Sequence, residues 1–130
     1  MSPLYARASD SVKVGVDYAG VYDWASMLAG LGAPIEDAAM HKLAIESSPV
    51  ATIDQWRSPV LVVQADDDRN VPPQQSTQLI QDLRAHHVPF DQMLIPDEVH
   101  DLTRYSSWLT LFEATDAYLD AHLDPARATH

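Results

Sequence analysis

The run Val60-Leu61-Val62-Val63 constrains this chain more than any other feature. A continuous apolar, mostly β-branched stretch is the pattern of a parallel strand covered on both faces, whereas a half-exposed strand would alternate apolar and polar residues. The run passes through Gln64-Ala65 into three consecutive carboxylates, Asp66, Asp67 and Asp68, and then into Pro72-Pro73, a helix opening. Open α/β sheets place their chemistry outside the carboxyl ends of the strands, so this order delivers acid groups to that edge. A second apolar run, Met93-Leu94-Ile95-Pro96, leads to His100 on a loop leaving the same edge.

The rest of the chain completes a β-α-β-α-β-α alternation, which implies an α/β fold with a parallel sheet of about three strands, right-handed crossovers and flanking helices. Met1 to Ser9 reads as the tail of a helix, and Val12 to Tyr18 as a short strand closing at Gly20. Tyr22 to Pro34, interrupted by glycines, reads as a loop at the sheet edge. Ile35 to Glu46 has helical spacing in Ile35, Ala38, Ala39, Leu43 and Ala44, and Ser47-Ser48-Pro49 stops it because the residue before proline is pushed out of the helical region. A connector runs to Trp56. Pro72 to His87 is a predicted helix with Leu79, Ile80 and Leu83 inward, and Phe90 to Ile95 a strand. Ser106 to Leu123 is expected to be a final helix turning Leu109, Phe112, Ala117, Tyr118 and Leu123 to the core.

Length and charge narrow the function classes. At 130 residues the chain is one domain, and 46% hydrophobic content is ordinary for a globular protein. Nineteen acidic against eight basic residues give a formal charge of −11, which repels phosphate backbones and anionic lipid surfaces, so neither nucleic acid nor a membrane is an expected partner. The absence of cysteine excludes disulfides and thiolate zinc sites but does not choose between the cytoplasm and a secreted compartment. No apolar run approaches the roughly 18 residues that cross a bilayer.

Several stretches together carry a resemblance: Val21-Tyr22-Asp23-Trp24, Ser47-Ser48-Pro49-Val50, Trp56-Arg57-Ser58-Pro59, Asp66 to Val71, and Pro96 to Asp101. With them the chain resembles, nearly end to end, the C-terminal half of the catalytic α/β-hydrolase domain of the prolyl oligopeptidase family of serine peptidases, particularly its dipeptidyl and acylaminoacyl peptidases. That family commonly has His-Gly where this chain has Gln64-Ala65. The resemblance implies a partial α/β-hydrolase fold over residues 1–130, Asp68 as the triad acid and His100 as the general base. It further implies that Trp24 and Val71 line a pocket for a small apolar or proline side chain and that Asn70 bonds a substrate carbonyl. By residue type alone Trp24 would pack in the core. Arg69 and Arg104 are weaker candidates for meeting a substrate carboxylate. Taken singly, the three aspartates have a plain structural use as a solvated turn before a helix N-terminus.

The chemistry suits both residues, because an imidazole can take a serine proton while a carboxylate on its other nitrogen fixes the tautomer, and Ser, Asp, His is the α/β-hydrolase order. The nucleophile is missing: no serine here has glycine two positions before and after it. The resemblance places that elbow upstream, so the expectation is a peptidase part bearing acid and base, inactive alone and requiring no cofactor or metal. Its partners would be a peptide substrate in the full-length protein and, through a bare sheet edge, a second copy. Two other readings compete: a noncatalytic half-domain that associates with another chain, and a metal-dependent phosphatase using Asp66 to Asp68, with Asp17 and Asp97 as further ligands, to hold magnesium. His86-His87 reads as a solvated helix end, since adjacent helical residues diverge by about 100°.

Overall fold

The computed structural model describes residues 12–124. Three parallel strands, β1 (Gly15–Tyr18), β2 (Val60–Ala65) and β3 (Phe90–Ile95), form one sheet in that order. The register pairs Gly15 with Val60 and Val60 with Phe90, so all three strands point their carboxyl ends the same way. The expected helix over Met1 to Ser9 lies outside the described residues.

Strand β2 is buried along its whole length, as its apolar run requires. Its side chains alternate between two cores. Val60 and Val62 join Tyr22, Trp56, Leu79 and Leu83 on one face, while Leu61, Val63 and Ala65 join Ile95, Leu102, Leu111 and Tyr118 on the other. The first face is covered by α3 (Gln74–Ala85) and a 3₁₀ segment over Pro49–Gln55, the second by α4 (Tyr105–Leu123).

The segment expected to be a loop contains a helix, α1 (Trp24–Gly30). Asp23 starts it by accepting from the backbone N–H groups of Ala25 and Ser26, a capping signal that the flanking glycines obscured. Gln75 of α3 ties it down: its Oε1 accepts from the Tyr22 and Asp23 N–H groups, and its Nε2 donates to the Asp23 carbonyl and Ser26 Oγ. The next helix, α2 (Ala38–Glu46), is shorter than expected because Asp37 caps it, and none of its residues is buried.

Helix α4 begins at Tyr105, but the expected inward face is only partly right. Tyr118 is buried, together with Ser107 and Leu111, whereas Leu109, Phe112, Ala117 and Leu123 are exposed. A helix with apolar residues on several sides offers no single stripe, and contact with Leu61 and Val63 selects the Leu111–Tyr118 side. His86 and His87 are exposed at the end of α3.

Candidate active site

The turn after β2 and the turn after β3 are laced together. The Asp66 N–H donates to the Ile95 carbonyl and the Asp67 N–H to the Glu98 carbonyl, at 3.2 and 3.0 Å. Parallel pairing of β2 with β3 therefore sets the acid turn beside the histidine loop at one sheet edge.

Asp68 turns inward, and its side chain is fully buried. Its Oδ1 accepts from the backbone N–H groups of Asn70 and Val71, both at 2.9 Å, which closes the turn. Its Oδ2 lies 2.8 Å from His100 Nδ1 and also accepts from Gln64 Nε2 at 3.1 Å. A carboxylate oxygen can only accept, so Nδ1 carries the proton and the other ring nitrogen, Nε2, is left as the base. The His100 side chain is 32% exposed, open enough to meet a reactant. Asp66 and Asp67 remain on the surface: Asp66 accepts from the Glu98 N–H, and Asp67 pairs with Arg69.

The loop from Pro96 to Arg104 that carries His100 contains two residues with left-handed backbone, Asp97 (φ 54°) and Leu102 (φ 35°). Left-handed backbone disfavours a side chain such as leucine, so the loop needs external support. Glu98 supplies it from a buried position, accepting from the Thr103 N–H and hydroxyl, the Arg104 N–H and Nε, and Ser107 Oγ. These bonds, Ser107's foremost, hold its carboxyl far below the usual carboxylate range. They also cap α4, whose N-cap residue Arg104 offers no side-chain cap of its own. Arg104 Nη2 closes the clamp on the Pro96 and Asp97 carbonyls. Beneath the loop, Tyr18 at the end of β1 donates its hydroxyl to the His100 carbonyl and stacks its ring against the imidazole, centroids 6.3 Å apart.

The other sequence-predicted residues are more scattered. Asn70 is exposed in the acid turn, and Val71 is buried beside it. Trp24 is 44% exposed at the start of α1, so the core position suggested by its residue type is wrong; the buried tryptophan is Trp56. The Trp24 backbone N–H donates to Ser48 Oγ. A groove of about 580 Å³ beside it is lined by Asp23, Ser26, Met27, Val50, Pro72 and Gln75 among others, and by none of Trp24, Asn70 or Val71. Arg69 and Arg104 spend their charge on Asp67 and Glu98. Among the described residues no group of three or more His, Asp or Glu side chains is placed to hold a metal ion. Nor is any helix there long and apolar enough to cross a membrane.

Four residues around the pair were not legible as such: Tyr18, Gln64, Ser76 and Glu98. Gln64 and Glu98 do carry a signal, a polar residue ending an apolar strand and a carboxylate two positions before the histidine.

Comparison with known proteins decides the family. The model of the prolyl oligopeptidase family matches residues 2–126. The chain belongs to that family. It is 31% identical over 100 residues to dipeptidyl aminopeptidase BIII of Pseudoxanthomonas mexicana, covering 74% of this chain and 14% of that protein. It is 32% identical over 79 residues to the acylamino-acid-releasing enzyme of Mus musculus, covering 61% of this chain and 11% of that protein. Its fold superimposes on a puromycin-hydrolyzing peptidase of Mycobacterium tuberculosis with a TM-score of 0.77 at 25% identity, covering 89% of this chain and 19% of that one. The chain thus spans about one seventh of the length of the first of these relatives and corresponds to a part of a prolyl oligopeptidase-family peptidase, with the α/β-hydrolase architecture of its solved neighbours.

Proposed function

We propose that this chain supplies the acid and base of a serine peptidase that hydrolyses peptide bonds through an acyl-enzyme. The contact of His100 Nδ1 with a buried Asp68 carboxylate at 2.8 Å carries the reading. In that reaction His100 Nε2 takes the proton of a serine hydroxyl as the oxygen attacks the scissile carbonyl. The imidazolium then gives the proton to the leaving amine, and Asp68 stabilises the ring while it is charged. A water repeats the sequence to release the acyl group.

The serine and the oxyanion donors of this reaction are proposed to come from another segment of a longer protein, because no serine of these 130 residues stands between suitably spaced glycines. The hydroxyls of Ser76 and Ser107 are committed to Gln64 and Glu98. Trp24, Asn70 and Val71 are proposed to contact substrate, supported by the placement of Asn70 and Val71 in the acid turn. A fluorophosphonate probe tests the assignment. It should leave this chain unlabelled and label a longer protein carrying an upstream Gly-x-Ser-x-Gly segment, with labelling lost in His100→Ala. Stoichiometric, His100-dependent labelling of the 130-residue chain would overturn it.

A second reading, association of the chain through its sheet edge, is favoured by one observation. Among the described residues β1 pairs only with β2, which leaves its other backbone edge open. Light scattering should then show a dimer at tens of micromolar, held soluble by the negative charge, and a monomer would count against it.

A further inference from the structure

Oδ2 of Asp68 has a second donor besides the imidazole. Gln64 is the penultimate residue of strand β2 and is buried with its side chain on the α3 side of the sheet. Its Nε2 donates to Asp68 Oδ2 at 3.1 Å and lies 3.2 and 3.3 Å from the carbonyls of Ala65 and Val71, while its Oε1 accepts from Ser76 Oγ at 2.6 Å. This environment admits one orientation of the amide. Reversing it would set Oε1 against three acceptor oxygens with no proton among them.

We propose that Gln64, locked by Ser76 and donating to Asp68 Oδ2 beside His100 Nδ1, is a positioning residue that fixes the acid and through it the tautomer of the base. The proposal rests on the acid–base reading of Asp68 and His100.

A carboxylate presents about four lone-pair sites. Asn70 and Val71 occupy those of Oδ1; His100 and Gln64 share Oδ2. With every site taken, the carboxylate cannot swing about its terminal torsion, a soft twofold rotation in an unrestrained aspartate. Gln64 also bridges the end of β2, the acid turn and the first turn of α3, so the position of the base is tied to the sheet rather than to a surface turn. A glutamine does this without a charge of its own, and the chain carries it where its family commonly has histidine.

A cavity of about 250 Å³ between α3 and β3, lined in part by Val62, Gln64, Ser76, Ile80 and Leu94, lies behind the amide. Truncating Gln64 would let water from that cavity replace the lost donor, so the informative substitutions keep the volume. Gln64→Met removes the donor and preserves the shape. Gln64→Glu restores it only while protonated, and burial next to the Asp68 charge favours that protonated form.

The test is nitrogen-15 NMR of His100 in this chain, reading the Nδ1 proton resonance and the ring shifts that report which nitrogen carries the proton, with thermal melts as controls. The wild-type neutral ring should be Nδ1–H with a protected, strongly deshielded proton. Gln64→Met should lose that proton signal and shift the neutral ring toward a mixture of tautomers. Gln64→Glu should keep both features near neutral pH and lose them on further alkalinisation, a pH signature that a packing role for position 64 does not produce. A cooperatively folded Gln64→Met with the wild-type tautomer and proton resonance would overturn the proposal. Should Gln64→Met not fold, Ser76→Ala decides: partial loss of the Nδ1 proton supports the lock, and an unchanged spectrum overturns it. Asp68→Asn separates the two levels, because a wild-type His100 spectrum in that variant refutes the acid–base pairing itself rather than the role of Gln64.

Discussion

The Tyr18 hydroxyl bonds the carbonyl of the residue whose imidazole it stacks against, so the end of β1 holds His100 by its backbone and its ring together. Tyr18 is thereby the link between the edge strand and the histidine loop. Its hydroxyl is pushed up to about 12, first by burial and then by the negative charges of Asp68, Asp101 and Glu98.

Tyr18→Phe should cost about 1 kcal/mol, the usual net worth of one hydrogen bond, and should broaden the His100 resonances as the loop loosens. In the wild type the sign of the pH effect follows from the raised value. The folded state favours the neutral phenol, so the stabilisation is complete below 10.0 and is lost as pH rises toward about 12. Denaturant melts across that window should show a fall in stability that is smaller in Tyr18→Phe. An identical alkaline limb in both proteins would assign the loss to other groups.

Glu98 gives the opposite limb. Its carboxyl is lowered because Ser107, Thr103 and Arg104 all donate to the charged form, so its contribution is present above the ordinary 4.5 and is lost as pH falls below that toward its depressed folded value. Glu98→Gln should therefore be less stable than wild type at neutral pH, with the gap closing in acid. The same variant should raise hydrogen exchange at the Thr103 and Arg104 amides, which lose a charged acceptor. Unchanged exchange there would mean that the loop is held without this clamp.

What could be read from the sequence follows the kind of force involved. The β2 run, the proline-opened α3 and the β3 run were legible because burial on two faces and helix initiation are local demands written in consecutive residues. Helix α1 was not, since Asp23 caps it from among glycines and its hold on the sheet comes from Gln75, distant in the chain. The α4 face was misread because Leu109 and Phe112 are as apolar as Leu111, and only contact with β2 distinguishes them. At the site, Asp68 and His100 were singled out as the proposed acid and base by spacing and family likeness, and the fold brings the two side chains together. Their supports did not, because Tyr18, Gln64 and Ser76 act through partners that only the folded sheet brings near.

Asp17 is a cost that the fold carries. Burial raises its carboxyl above 3.8, with the Tyr22 phenol partly offsetting the shift, yet neither Asp17 Oδ2 nor the Tyr22 hydroxyl has a hydrogen-bond partner of acceptable geometry. The carboxylate is tucked under the turn, where a Cβ on Gly20 would meet Oδ2 at 2.6 Å. Because the folded value is raised, stability is greatest below 3.8 and is lost as pH rises through that raised value. Asp17→Asn should remove this loss and stabilise the protein at neutral pH by on the order of 1 kcal/mol, within the usual cost of an unsatisfied buried polar group. A wild-type melt in Asp17→Asn at neutral pH would show that the carboxylate is solvated after all.

The three neighbouring aspartates separate by position. Asp68 is buried against His100 Nδ1, Asp66 accepts only a backbone N–H, and Asp67 lies on the surface with Arg69. An amide at position 68 can present its N–H to the ring and stabilise the tautomer with the proton on the wrong nitrogen. In a longer protein carrying the upstream serine segment, Asp68→Asn should therefore lower turnover by on the order of 10⁴, the loss such a tautomer reversal produces in serine peptidases. Asp67→Asn removes only an exposed ion pair, whose worth is about 0 to 1 kcal/mol, and should leave turnover near that of wild type. Steady-state kinetics on the two variants, with KM and kcat resolved, separates them: the Asp68 loss should fall on kcat. Comparable losses at both positions would mean that the carboxylate serving the imidazole is not the one the 2.8 Å contact identifies.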